Sequence, residues 1–139
     1  MVDGKRSRIG RIDLHVEVTP VSYERLTGNE LPSETSADIA ARVQRAREMQ
    51  EALFKGNPHI FKNAQMPSRM VREVCQVNQA GLMLVKKAME KLQLSARAYD
   101  RILKVARTAA DLGGSEGIRI EDLAEAIHFR SLDRESWAG

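Results

Sequence analysis

Aromatic residues are scarce in this 139-residue chain, at 4% of the sequence. Leu, Ile, Val, Met and Ala must therefore fill the core, because hydrophobic residues still make up 42% of the chain. A β-sandwich would need more aromatic and β-branched residues, so this composition favours helices packed on helices. The length fits one domain, or a small domain with a tail.

Cysteine is almost absent, since Cys75 is the only one. A single cysteine excludes a disulfide framework and a cysteine-based zinc site within the chain, which suits a reducing compartment, and we expect a cytoplasmic protein. We interpret Cys75 as a small buried or half-buried residue rather than a catalytic thiol. His15, His59 and His128 lack metal-ligand spacing with one another or with Cys75, so we expect no metal site.

The sequence has no long apolar run and no strong excess of one charge. No run approaches the roughly 20 apolar residues that span a bilayer, so no membrane partner is expected. The opening "MVDGKRSRIGR" has basic residues without an apolar segment after them, which is unlike a secretory signal. The net charge of +3 permits contact with nucleic acid but does not argue for it.

The N-terminal quarter is organised differently from the rest. "RIDLHVEV", residues 11–18, alternates apolar and polar side chains and predicts a half-buried strand or extended segment. No second clear strand follows, and a lone strand has no pairing partner, so the chain resembles a piece of something larger. Residues 19–35 are rich in Thr, Ser, Pro, Gly and Asn, which is typical of a linker. We therefore divide the chain into an extended segment and linker, 1–34, and a helical domain, 35–139.

Helical periodicity dominates residues 35–139. Thr35 or Ser36 can cap the first long helix, and a short helix starts near Pro67 or Ser68 and runs to about residue 77. "QAGLMLVKKAMEKL" predicts the next helix, and "ARAYDRILKVARTAADL" the one after it, capped by Ser95 and ended by Gly113 and Gly114. "GIRIEDLAEAIHFR" predicts the last helix. The residues expected to face the core are Ile39, Val43, Ala46, Gln50, Leu53, Met70, Val71, Val74, Leu82, Val85, Met89, Leu92, Ile120, Leu123, Ala124 and Ile127.

One of these helices carries a basic stripe. On a helical wheel of about 100° per residue, Arg97, Arg101 and Lys104 fall within a narrow arc opposite the core face. Arg107 lies off this stripe, nearer Asp100 and Asp111, and we expect it to make ordinary ion pairs worth a few tenths of a kcal/mol. Spacing alone favours a solvated face. Arg97, however, stands in the first turn, where the helix dipole disfavours a cation and free N–H groups favour a phosphate.

The residues also resemble a known family. "LSARAYDRILKVARTAADL", "GSEGIRIEDLAEAIHFRSLDR", "GRIDLHVEV", "SADIAARVQRAREMQ" and "NAQM" occur in an order similar to the C-terminal helical (lid) domain of magnesium-chelatase-like AAA+ ATPases, of the competence-related ComM/YifB type, and the segment just before it. The resemblance covers about residues 10 to 137. It implies a small helical bundle of the AAA+ lid type.

The same resemblance implies roles for two arginines. Arg97, in the "LSAR" pattern, is similar to the sensor-2 arginine, which approaches the γ-phosphate of ATP. Arg11, in the "RID" pattern, resembles the arginine finger, which reaches the nucleotide of a neighbouring subunit. An arginine fork matches phosphate oxygens and offsets the charge that develops in phosphoryl transfer. The family normally has Asp before this second arginine, and Gly10 stands there instead.

The ATP-cradling parts are missing from this sequence. No GxxxxGK[ST] motif occurs in the 139 residues, and no acidic strand end offers a Walker B site. We therefore expect no ATPase activity and no cofactor for this chain alone, and ATP with Mg²⁺ for the intact protein. The implied partners are the AAA+ core of the same protein and the neighbouring subunits of a ring, a hexamer in this branch, with DNA as a further candidate.

Three other functions remain open. One is a helical adaptor that binds protein. A stand-alone helical DNA-binding module would use Arg97, Arg101 and Lys104 on phosphates. A magnesium chelatase subunit would serve metal insertion into porphyrin. The ComM-like motifs favour ATP-driven DNA processing, such as branch migration, over metal insertion. Trp137, in the polar tail, is expected to dock on the protein rather than to stack on bases.

Overall fold

The computed structural model describes residues 12–28 and 33–138, with their side chains as far as Arg130. Within these residues the chain forms helices and no β-strand, which confirms the mainly α prediction. A 3₁₀ turn, Asn63–Gln65, lies between the second and third helices. The α-helices are α1 Tyr23–Thr27, α2 Ser36–Leu53, α3 Ser68–Val74, α4 Gln79–Leu92, α5 Ala96–Leu112 and α6 Ile120–Ala138.

The N-terminal segment is extended but is not a strand. Residues 12–22 have neither helix nor ladder, so the strand interpretation of the alternating pattern is wrong and the extended-segment alternative is correct. The reason is that the described residues supply no second strand to pair with. The short α1 lies inside the stretch that we interpreted as linker, and none of its residues is buried. A single helical turn of this length leaves little periodic signal in a sequence.

Helix α2 begins with a reciprocal cap. The Thr35 hydroxyl oxygen accepts from the Asp38 amide at 3.1 Å, and the Thr35 amide donates to the Asp38 carboxylate at 3.1 Å. The donated Thr35 hydroxyl hydrogen bond is the main cause that lowers the pKa of Asp38. Of the two candidate caps, Thr35 is therefore the one used. Ala46 is buried as expected, whereas Ile39 and Leu53 remain exposed.

Helix α4 has the bounds that periodicity predicts, and it packs against α6. Gly81 is buried at this contact, and a Cβ there would lie only 2.7 Å from the Leu123 side chain, so the close approach of the two helices requires glycine. Val85 is buried, but Leu82 is 47% exposed. The inward face of α4 is thus rotated away from Leu82.

Helix α5 is the central element and contacts α2, α3, α6 and the 3₁₀ turn. It ends at the predicted glycines, where the Ser115 amide bonds the Ala110 carbonyl at 2.8 Å and Gly114 adopts a positive φ of 71°. In α6, Leu123 and Ala126 are buried, whereas Ile120 and Ala124 are exposed, against expectation. The buried core comprises Phe54, Met66, Val71, Cys75, Val85, Ile102, Leu103, Ala106, Ile118, Leu123 and Ala126.

Candidate functional site

Arg97 lies in the first turn of α5, and its side chain is exposed. The Ser95 hydroxyl accepts from the Ala98 amide at 3.2 Å, which leaves the amides of Ala96 and Arg97 without an acceptor among the described residues. In the same part of the chain the Arg97 guanidinium has no hydrogen bond or ion pair. An uncommitted guanidinium beside free helix-start amides can bind a phosphate.

Arg101 and Lys104 do not continue a free basic stripe. The Arg101 side chain is 21% exposed and forms a 3.4 Å ion pair with Asp13 of the N-terminal segment. The Lys104 ammonium donates to the Ala64 carbonyl at 3.3 Å. The expectation that all three cations point away from the rest of the protein is therefore wrong for these two, because other segments lie over them. Their role as phosphate contacts stays a prediction.

Arg107 forms the expected ion pair with Asp111, but both side chains are buried, so the expectation of an ordinary, weak pair is wrong. The Arg107 side chain is 8% exposed, and its Nη2 and Nε atoms donate to Asp111 Oδ1 at 2.9 and 3.1 Å. Nη1 donates to the Glu116 carbonyl at 2.7 Å, and Nη2 also donates to the Ser115 carbonyl at 2.8 Å. One guanidinium thus joins the last turn of α5 to the loop that leads into α6.

Asn63 extends this buried network to α2. Its side-chain amide donates to Asp111 Oδ2 at 2.8 Å and to the Thr108 hydroxyl at 3.0 Å. Its backbone amide donates to the side chain of Gln50 at 3.0 Å. This network was not predicted from the sequence, although Gln50 is the one polar residue among those expected to face the core from α2. That position was a signal, because a polar group at a core position needs a hydrogen-bond partner.

A cleft of about 640 Å³ opens beside this network, between the N-terminal segment, α2, α5 and α6. Most of its charged side chains are already paired. Arg42 pairs with Glu34, and Arg119 donates to Asp122 at 3.1 Å, a hydrogen bond that is the main cause raising the pKa of Arg119. The lining residues are Asp13, Leu14, Arg42, Ala64, Lys104, Val105, Thr108, Ala109, Leu112, Gly113, Arg119, Asp122, Glu125 and Phe129.

The Cys75 thiol is buried, as expected, and we predict that it is unreactive. Burial is the main cause that raises its pKa from 9.0 to about 11. At pH 8 the thiolate fraction should be about 100-fold lower than in the unfolded chain, because the shift is two units. Labelling with a thiol-specific disulfide reagent, with and without urea, tests this, and the folded chain should react at least about 100-fold more slowly because burial also blocks the reagent. Equal rates in the two states would contradict it.

The remaining candidates add no chemistry to the site. Among the described side chains, no three His, Cys, Asp or Glu residues group as a metal site would require. None of the helices over the same residues has the length and apolar character needed to cross a membrane. Arg11 lies outside the described residues, and the side chain of Trp137 lies outside the described side chains. Their predicted roles stay predictions.

The fold and the motifs define a class of protein. Residues 33–130 match the family model described as magnesium chelatase, subunit ChlI C-terminal. This match covers most of the chain, so the chain belongs to that family, and the sequence-based assignment to a magnesium-chelatase-like C-terminal domain is confirmed.

Individual relatives give the same result. The chain is 38% identical over 127 residues to the competence protein ComM of Haemophilus influenzae. It is 36% identical over 126 residues to YifB of Escherichia coli and 31% identical over 126 residues to YifB of Salmonella typhimurium. These alignments cover 91% of the chain but 24% of each relative. The chain therefore spans about a quarter of the length of the curated relatives it matches.

Proposed function

We propose that this helical bundle is the lid of a magnesium-chelatase-like AAA+ ATPase and that Arg97 is its sensor-2 arginine. The lid would close over ATP bound by the core of the same protein, in the cytoplasm and within a ring of subunits. Family membership supports the lid. The uncommitted guanidinium of Arg97 is the single observation that supports the sensor role.

The surroundings of Arg97 fit a contact to the terminal phosphate. The guanidinium offers a planar fork of donors, and the free amides of Ala96 and Arg97 add partial positive charge at the start of α5. Bound Mg²⁺-ATP supplies the phosphoryl group that is transferred. The part of this chain is to orient that phosphate and to stabilise its developing charge. No residue of this chain offers a P-loop for the other phosphates.

The work that the ATPase performs is a further part of the proposal. The resemblance to competence-type relatives supports ATP-driven processing of DNA, such as branch migration, over insertion of a metal into porphyrin. Arg11 would reach the nucleotide of the next subunit as an arginine finger. A stand-alone DNA-binding module has less support, because Arg101 and Lys104 are engaged within the protein.

The test is an Arg97→Ala substitution in the complete ATPase that carries this domain. We expect ATP turnover to fall while the domain keeps its fold, because an exposed side chain without described partners contributes little to stability. Unchanged turnover in a folded variant would overturn the sensor role.

A further inference from the structure

The extended segment 12–18, which we call the strap, is tied to the bundle by three polar contacts. Arg101 of α5 forms an ion pair with Asp13 at 3.4 Å. Arg130 of α6 donates from Nη1 to the Ile12 carbonyl at 2.8 Å. The His15 amide donates to the Phe129 carbonyl at 3.2 Å. Arg101 and Arg130 therefore bind Asp13 and Ile12, the first two described residues of the strap.

Apolar burial does little to hold the strap in place. Leu14 is 50% exposed, Val16 is 66% exposed and Val18 is 88% exposed. The hydrophobic contribution scales with the apolar area removed from water, and these side chains keep half or more of theirs, while Ile12 keeps 48%. The polar contacts of Arg101, Arg130 and the His15 amide therefore contribute a large part of the restraint on the strap.

The two arginines are also incompletely satisfied. Arg101 Nη1 and Arg130 Nε are buried, and neither has a hydrogen-bond acceptor in the described part of the chain. A buried donor without a partner destabilises the arrangement that buries it. Asp13, in turn, is 47% exposed, and ion pairs that face water are weak. These contacts are suited to opening and closing, unlike those of Arg107, whose Nε, Nη1 and Nη2 atoms all have acceptors.

Arg101 and Asp13 are close in sequence to Arg97 and Arg11, the two arginines that are proposed to contact nucleotide. Arg101 is one helical turn after Arg97, about 6 Å further along the axis of α5. On the other side of the contact, Asp13 is two residues after Arg11 in the sequence. The ion pair therefore links the helix that presents Arg97 to the chain that leads back to Arg11.

We propose that Arg101 and Arg130 form a latch that fixes the strap to the start of α5, so that Arg101 is a positioning residue for Arg97 rather than a phosphate contact. The claim that the latch positions Arg97 rests on the proposed function, whereas the contacts that form the latch do not depend on it. An open latch frees the strap from α5 and α6, and a closed latch makes the strap and the Arg97 helix move together.

The first experiment measures the latch in the 139-residue chain by hydrogen exchange of the His15 amide. Asp13→Arg places like charges together, and we expect exchange to accelerate about three- to tenfold because a partly exposed ion pair is replaced by repulsion. The charge swap, Asp13→Arg with Arg101→Asp, should restore the rate to within about twofold. Glu73→Arg, on an exposed acid of α3, changes the charge by the same amount as Asp13→Arg; it is the matched control and should leave the rate unchanged.

The outcomes separate the latch from the sensor role. Unchanged His15 exchange in Asp13→Arg would overturn the latch. In the complete ATPase, Asp13→Arg should lower turnover and the charge swap should restore it. A strap that loosens without any change in turnover would overturn the positioning role. If Arg97→Ala left turnover unchanged, the proposed function would be overturned, but the result of the exchange experiment would stand. Because Asp13 is half exposed, its substitution is not expected to unfold the domain.

Discussion

An Arg107→Met substitution is expected to lower the free energy of unfolding by about 3–5 kcal/mol. The reason is the environment of Asp111, whose side chain is 4% exposed and faces the Arg107 guanidinium. Removal of the cation leaves a buried carboxylate whose one remaining donor among the described residues is the Asn63 amide. The carbonyls of Ser115 and Glu116 also lose their donors, which loosens the turn between α5 and α6.

Urea unfolding of the variant and the parent chain measures this effect. The matched control is Arg97→Met on the same helix, which should change the free energy of unfolding by less than about 0.5 kcal/mol because Arg97 is exposed. A second variant, Arg107→Met with Asp111→Leu, should recover much of the loss, since it removes the unpaired charge as well. A loss below about 1 kcal/mol for Arg107→Met would show that water reaches Asp111.

The second large effect is expected in the ATP hydrolysis that the proposed function assigns to the complete protein. Arg97→Ala in the complete ATPase should reduce kcat about 100-fold or more, a loss typical of removing one donor that stabilises transition-state charge. Arg97→Lys should recover only part of it, because an ammonium lacks the planar fork that binds two phosphate oxygens. KM for ATP should change less than kcat, since the interaction is strongest with the charge that develops during transfer.

Arg69→Ala is the control for general loss of positive charge. Arg69 has a 94% exposed side chain and lies on α3. Its removal changes the net charge equally, and its ion-pair partner is Glu73 of the same helix rather than a residue of α5. Equal losses of turnover in the two variants would show that Arg97 acts through overall charge and would refute the sensor role.

The helices and their ends could be predicted because their signals are local. The Ser95 cap of α5, the glycines after it and the length of α4 follow from side chains within one turn of the position that they determine. Helix phase was less predictable. Leu82 and Ile120 fit an apolar stripe, yet the angles at which α4 and α6 pack leave both exposed. Packing angles depend on residues of other helices, so one segment does not contain them.

In the candidate site, too, local features could be predicted from the sequence, whereas features that depend on distant residues could not. The position of Arg97 in the first turn of α5 could be predicted from the sequence, because Arg97 follows the Ser95 cap by two residues. The burial of Arg107 could not, since two of its acceptors are carbonyls of Ser115 and Glu116, and carbonyls carry no sequence signal. The alternation in the strap predicted a half-buried strand, whereas the structure has no strand there and leaves most of these side chains exposed. Its contacts with Arg101 and Arg130 join residues more than 80 positions apart and leave no periodic trace.

Buried hydrogen bonds hold the C-terminal end of α5 in the bundle. Thr108 and Asp111 are pinned by Asn63 and Arg107, whereas Arg97 stands at the opposite, exposed end. About 14 residues separate Arg97 from Asp111, which places Arg97 about 21 Å from the C-terminal end of the helix. A rotation of the whole domain by about 10° around that end would carry Arg97 through about 4 Å, more than the length of a hydrogen bond. In the proposed function, a rotation this small would be enough to bring Arg97 onto a phosphate or to withdraw it.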